Sequence, residues 1–221
     1  MKMAEDFSFL KKFISKDMFI TSDNHFDHKN LVKFEPIREK LQLIEGKSIE
    51  MIMMERWNHT VPYDTSILHL GDFSWTDPIN WGLSLTGNKL LLQGNHDNYT
   101  KTKYREAGFI NFIKSQILFV DGNIEILTES CEKGASCIIA DIENHRVLFS
   151  HIPIINDPIY DSKFKDQAHK LKELFDEYKC DINIHGHIHS NQTLAKFCRN
   201  VSVEVNDFKP IRITELLADV S

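Results

Sequence analysis

Gly94, Asn95, His96 and Asp97 follow one residue after an apolar run, Leu90-Leu91-Leu92. An amide oxygen, an imidazole and a carboxylate in succession are poor packing material, but each can bind a cation or move a proton. Four further stretches have the same character: Asp23-Asn24-His25, Gly71-Asp72, Ser150-His151 and His187-Ile188-His189. Oxygen and imidazole donors without thiolate suit Mn, Fe, Zn or Ni. Asp23, His25, Asp72, Asn95, His151, His187 and His189 are too many for one tetrahedral zinc. Two divalent ions sharing a carboxylate fit the set, and Asp72, alone in its stretch, is the natural bridge. Such a pair holds a hydroxide that can attack phosphorus in line. His96 is then left to donate a proton to a leaving oxygen or to stabilise the charge building there. Asp97 is expected to hold that imidazole in one tautomer and to favour its protonated form.

Taken singly, each stretch has a plainer reading: a turn after a strand, a surface loop, a helix cap. What sets them apart is their position. Apolar runs at 18–21, 67–70, 89–93, 146–149 and 181–184 read as strands, and every stretch lies just past the carboxyl end of one of them. Ligands in open α/β sheets bind at that edge. Gly94 and Gly186 allow close backbone approach there.

The intervening segments supply the other elements. Phe7, Leu10 and Ile14 predict a short amphipathic helix over residues 4–15. Ser48 is a good N-cap for a helix with Ile49, Ile52, Met53 and Trp57 inward. Asp77-Pro78 opens a further helix that Gly87 ends, and another runs from about Thr100 to Gly108. Residues 117–127 read as a β-hairpin about Asp121-Gly122. Residues 137–140 and 146–149 read as strands joined at Asn144-His145. Ser162 is expected to cap a helix with Phe164, Ala168, Leu171, Phe175 and Tyr178 inward, and 201–213 alternates as antiparallel β. Strand–helix alternation followed by β-rich sequence predicts an α/β domain with two sheets. Residues 1–16 form a helical extension packed on a single domain, 17–221.

Bulk properties narrow the function. The chain has 221 residues, 42% hydrophobic and 26% charged, with a net charge of −6. That balance argues against holding duplex nucleic acid as a main task. The four cysteines match no zinc pattern and read as reduced thiols of a cytoplasmic protein. No run is long enough to span a bilayer, and the N-terminus is no secretory signal.

Together the five motifs, Asp23-x-His25, Gly71-Asp72, Gly94-Asn95-His96-Asp97, Ser150-His151-x-Pro153 and Gly186-His187-x-His189, resemble those of the calcineurin-like metallophosphoesterases. The likeness spans roughly residues 17–213. It is closer to small single-domain members from bacteria and bacteriophages, which share the stretches around Asp23 to Asn30, Phe34-Glu35-x-x-Arg38, Trp57-Asn58, His69-Leu70-Gly71-Asp72 and Asn200 to Glu204. The resemblance implies a four-layer α/β/β/α sandwich with two mixed sheets. It implies one ion held by Asp23, His25, Asp72 and His189, a second held by Asp72, Asn95, His151 and His187, and His96 as the catalytic acid. The implied reaction is hydrolysis of phosphomono- or phosphodiesters with two divalent ions, Mn being the first choice in vitro. The substrate would be a small phosphoester, with nucleotides included. A nuclease or cyclic-nucleotide phosphodiesterase is the alternative enzyme; a metal-binding scaffold without turnover is the alternative class. His28 and Arg38 are candidate substrate contacts. Asp27 stands where the subgroup usually has Gly, and its carboxylate is expected to repel phosphate or restrict access. Neither the natural substrate nor the oligomeric state follows from the sequence.

Overall fold

The computed structural model describes residues 6–155, 162–193 and 195–218. In chain order the elements are α1 (Leu10–Phe13), β1 (Phe19–Thr21), α2 (Pro36–Glu45), α3 (Ile49–Thr60), β2 (Ser66–His69), α4 (Ile79–Ser84), β3 (Asn88–Leu92), α5 (Lys101–Glu106) and β4 (Phe109–Ile113). They continue with β5 (Gln116–Val120), β6 (Asn123–Thr128), β7 (Cys137–Ile142), β8 (His145–Ser150), α6 (Lys165–Glu177), β9 (Ile182–His185), β10 (Cys198–Asn200), β11 (Ile211–Arg212) and α7 (Ile213–Leu217).

Two mixed sheets result, ordered β11-β1-β2-β3-β4 and β10-β9-β8-β7-β5-β6. In the first, β1 to β4 are parallel and β11 runs antiparallel to β1. In the second, β8, β9 and β10 are parallel neighbours, while β7 and β8 run antiparallel. Strand alternation assigns the layers. Leu68, Leu90 and Leu92 of the first sheet meet Ile138, Phe149 and Ile184 of the second in one core between the sheets. Ile67 and Leu91 face the other way, onto Met53, Trp57 and Tyr104 of α3 and α5. On the far side, Ile139 and Leu148 pack against Ala168, Leu171 and Phe175 of α6. The order is therefore helix, sheet, sheet, helix. Both faces of each sheet are covered, which is why β1, β2 and β3 read as continuous apolar runs rather than as alternation.

Local chemistry explains most boundaries. Ser48 Oγ accepts the Met51 amide and Thr100 Oγ1 accepts the Lys103 amide, so α3 and α5 start where their caps predict. Gly108 sits at φ +83° after α5, a conformation that costs glycine little. Residues 116–128 form the expected hairpin.

Four expectations are corrected. The helix predicted over 4–15 is the single turn of α1, although Phe7, Leu10, Phe13 and Ile14 are all buried in the inter-sheet core. The helix opened by Asp77-Pro78 ends at Ser84. No helix was expected at α2, although Ile37, Leu41 and Ile44 stand at helical spacing; its inward face buries Arg38 while Leu43 and Ile44 are exposed. The tail is not continuous antiparallel β: β10 lies parallel to β9, a 3₁₀ turn follows at Val203–Val205, and only β11 is antiparallel, to β1. Its alternation misleads because Val201, Ser202, Val203 and Glu204 are all buried, the polar pair facing the site described next. The Ser162 cap falls on a side chain outside the described residues. No helix among the described residues is long and apolar enough to cross a membrane.

Candidate metal centre

The loops leaving β1, β2, β3, β8 and β9 converge at one edge of the sandwich, and the backbone there is strained. Asp23, His25, Asp72, His187 and His189 all have positive φ, between 49° and 72°. Left-handed backbone costs a non-glycine residue roughly 1–2 kcal/mol, and such conformations gather at functional sites. In each i, i+2 pair this turn brings both side chains to one centre. Glycine at 94 and 186 is required by space. A Cβ on Gly94 would fall on the Asp72 carboxylate, and one on Gly186 on Ser22 Oγ and Asp23 Oδ2.

Asp72 is the middle of the cluster. Its Oδ2 lies 3.4 Å from His25 Nε2 and 3.5 Å from His151 Nε2, one oxygen facing two imidazoles. Its Oδ1 accepts the His96 amide at 2.8 Å. His25 Nε2 is 3.8 Å from Asp23 Oδ1. His25 and His189 rings stack at 5.1 Å, and the His187 ring lies 5.1 Å from that of His151. Asn95 Oδ1 is 2.7 Å from His151 Nε2. Of the other six expected ligands, His25 and His151 thus face Asp72 directly, and Asp23, His189, Asn95 and His187 reach it through one of those two.

Outer partners set the tautomers. His151 Nδ1 faces the Leu70 carbonyl at 3.0 Å, so that nitrogen carries the proton and Nε2 points inward. His189 Nδ1 faces Glu204 Oε1 at 3.1 Å, with the same result. His69 accepts the Gly71 amide on Nδ1 at 3.1 Å and donates from Nε2 to Asn24 Oδ1 at 2.9 Å, holding the loop between the ligands.

Would divalent cations fit? Asp23 Oδ1 and both ring nitrogens of His25 are buried without a hydrogen-bond partner, and buried polar atoms are rarely left so. Donor atoms of Asp23, His25 and His189 lie within 4.8 Å of one another, as do those of Asp23, Asp72 and His151. Two buried carboxylates with imidazoles about them are a hard-to-borderline donor set, suited to such ions. The residues present therefore fit.

Proton affinities agree. Burial works against charge on His151, but the Asp72 carboxylate, with Asp23 and Asp97 behind it, lifts its pKa to about 9. Burial likewise opposes His189, yet Glu204 lifts it to about 9. Burial holds His25 and His69 down at about 3, against the pull of Asp72 and Asp23. Asp23 and Asp72 are desolvated, but the surrounding histidines hold both carboxyls below the usual range. The cluster concentrates negative charge that protons, or cations, must offset.

The site opens into a cavity of about 790 Å³ lined by Asp72, Asn95, His96, Glu132, Lys133, Lys163, Phe164, Gln167, His187 and His189. His96 is exposed on its wall, its ring 5.5 Å from His25 and 5.3 Å from Trp75. The His28 ring lies tilted against Trp75 at 4.0 Å and 5.6 Å from the ring of His25, beside the centre.

Two expected roles are corrected. Asp97 does not reach the His96 imidazole. Its Oδ2 accepts the amides of Asp72 and Gly94, both at 2.8 Å, and its Oδ1 accepts the Phe73 amide at 3.2 Å and the Tyr104 hydroxyl at 2.9 Å. Three of these bonds join two ligand loops, and the fourth ties them to Tyr104 of α5. Arg38 is no substrate contact either: it is 2% exposed. It donates from Nε to Glu204 at 2.7 Å and to the carbonyls of Asn24 and Asp23 at 2.9 and 2.8 Å. Asp27, at φ +66°, turns its carboxylate to Trp81 Nε1 at 2.9 Å and to the Thr76 hydroxyl, not into the cavity.

Sequence reasoning missed Asn200, Ser202 and Glu204 as site residues, along with Trp75 and the lysines of the cavity wall. The signal for the first three was present: polar residues at every second position of an otherwise apolar segment that does not face solvent.

Fold and site together define an α/β protein of two mixed sheets with a buried carboxylate–imidazole cluster at the carboxyl edge of its strands. No family model matches the chain. It is 24% identical over 180 residues to "Gene 66 protein" of Mycobacterium phage D29, covering 79% of each. A crystal structure of a protein of unknown function, AQ665 from Aquifex aeolicus, superposes with a TM-score of 0.67 at 26% identity, over 90% of this chain and 97% of that one. It has the same fold. A conserved uncharacterized protein from Streptococcus pneumoniae, described as a predicted phosphoesterase, gives a TM-score of 0.35 at 15% identity, over 84% and 70% of the two chains. That likeness is too weak to bear on this protein.

Proposed function

We propose that this chain is a metal-dependent phosphoesterase that uses two divalent cations to hydrolyse small phosphomono- or phosphodiesters. One observation carries the reading: a single Asp72 carboxylate oxygen faces both His25 and His151, with unpartnered Asp23 and His25 atoms beside it. Asp23, His25, Asp72 and His189 would hold one ion, and Asp72, Asn95, His151 and His187 the other. When bound, two such ions lower the pKa of a water and neutralise phosphoryl oxygens.

The chain's own residues do the rest. Asp72 fixes His96 through its backbone amide, leaving the imidazole free over the cavity to give its proton to a leaving oxygen. Trp75 flanks that imidazole and limits its rotation. Lys133 and Lys163 put positive charge on the cavity wall, where it attracts an anionic substrate. His28 remains a candidate contact for the part of the substrate beyond phosphorus.

The test is metal dependence on an aryl phosphate and a bis-aryl phosphodiester. Activity should vanish on exhaustive chelation and return with Mn²⁺. Turnover that survives chelation overturns the reading; bound metal without turnover on a broad panel favours the scaffold reading.

A further inference from the structure

The segment Asn200-Val201-Ser202-Val203-Glu204 lies between β10 and the 3₁₀ turn at Val203–Val205, and no part of it is among the cation ligands named above. Its alternate side chains nevertheless all reach the cluster. Asn200 Nδ2 donates to the His189 carbonyl at 2.8 Å. Ser202 Oγ lies 3.0 Å from Asp23 Oδ2 and 2.8 Å from Asn200 Oδ1, and the charged carboxylate is the stronger acceptor for its single proton. Glu204 Oε1 accepts the hydrogen bond of His189 Nδ1–H at 3.1 Å. The Val203 amide donates to the Ser22 carbonyl at 3.1 Å, so the backbone is fastened to the Asp23 loop as well.

These contacts have a direction. Asp23 Oδ2 is occupied by Ser202 Oγ and by the His187 amide at 2.8 Å, which leaves Oδ1 as the oxygen without a partner. Glu204 fixes His189 with Nε2 inward and, as a carboxylate, makes the ring a stronger donor than a carbonyl would. Arg38 completes the frame. Buried, it neutralises Glu204 and grips the carbonyls of Asp23 and Asn24. On the other half of the centre, His151 Nδ1 faces a neutral acceptor, the Leu70 carbonyl. The tail segment therefore braces Asp23 and His189 directly, and its link to the second position runs through Asp23 Oδ2, which also holds the His187 amide.

We infer that Ser202 and Glu204, locked by Arg38, are positioning residues that make the Asp23–His25–His189 position the tighter of the two cation positions. The inference rests on the reading of the cluster as a dinuclear centre. Loss of an outer partner of a ligating histidine costs about 10–100-fold in metal affinity.

The test is calorimetric titration of the metal-free full chain with Mn²⁺, together with melting curves with and without the ion. Wild type should bind in two steps. Glu204→Gln should weaken the tighter step by about 10–100-fold and leave the weaker step unchanged. Ser202→Ala should weaken the same step by a smaller factor. Should Glu204→Gln not fold because Arg38 is left unpaired, Ser202→Ala decides. Equal weakening of both steps, or none, overturns the inference. So does a variant whose metal-free melting temperature falls while its Mn²⁺-induced increment stays that of wild type, since that is a purely structural role. A wild type that takes up two ions while the variants behave like it sinks the frame alone. A wild type that takes up none sinks the metal centre with it.

Discussion

Asp97 Oδ2 accepts the backbone amide of Asp72 at 2.8 Å. The carboxylate that follows the exposed imidazole in sequence thus serves the bridging residue, not the imidazole. Every neighbour of Asp97 is a donor: three amides and the Tyr104 hydroxyl. Asp97→Asn would set an NH₂ group against two of them. The expected cost is about 2–4 kcal/mol of stability, read as a lower denaturation midpoint at unchanged slope. A variant as stable as wild type would contradict the loop-clamp role.

His96 is separable from the rest of the centre, because only its backbone touches Asp72. His96→Ala should lower turnover by roughly 10²–10⁴-fold with metal content and melting temperature retained. Loss of bound metal in this variant would make His96 a ligand rather than a proton donor.

Arg38 behaves as a buried ion-pair partner. Arg38→Met leaves Glu204 charged in the interior and should destabilise by about 3–5 kcal/mol. Residual folded enzyme should keep its KM for an aryl phosphate. A raised KM with unaltered stability would restore the substrate contact.

Protonation gives a pH signature. His151 and His189 hold protons up to about 9, against the usual 6.5. A histidine pKa raised on folding stabilises fully below the unfolded value, and that contribution is lost as pH rises through the folded one. The metal-free protein should therefore lose stability between pH 6.5 and about 9. Cations compete with these protons, so Mn²⁺ binding at pH 7 should release them. Calorimetry in two buffers of different ionisation enthalpy reads this directly; identical heats would contradict it.

Asp27 carries a test of access. Asp27→Gly would relieve left-handed backbone worth roughly 1–2 kcal/mol but lose the bonds to Trp81 and Thr76. Stability should change by no more than about 2 kcal/mol, and kcat/KM should stay at the wild-type value. A marked rise in kcat/KM would mean that the carboxylate does obstruct the substrate.

The sequence by itself determined which donors exist and that each stands where a strand ends, because strand ends are written locally: an apolar run, then Gly or Ser, then a polar residue. Hence Asp23, His25, Asp72, Asn95, His151, His187 and His189 were legible as a set before any of them was placed. Caps such as Ser48 and Thr100 were legible for the same reason. What a side chain faces across the fold is not local. Asp97 beside His96 in sequence, and Arg38 as a cation close in sequence to the Asp23–His25 motif, were read as neighbours of the chemistry; the packing of loop on loop turned one to Asp72 and buried the other against Glu204. The frame 166 residues from Arg38 had no local signature beyond its alternation, since a polar residue facing a buried charge and one facing water follow the same period of two.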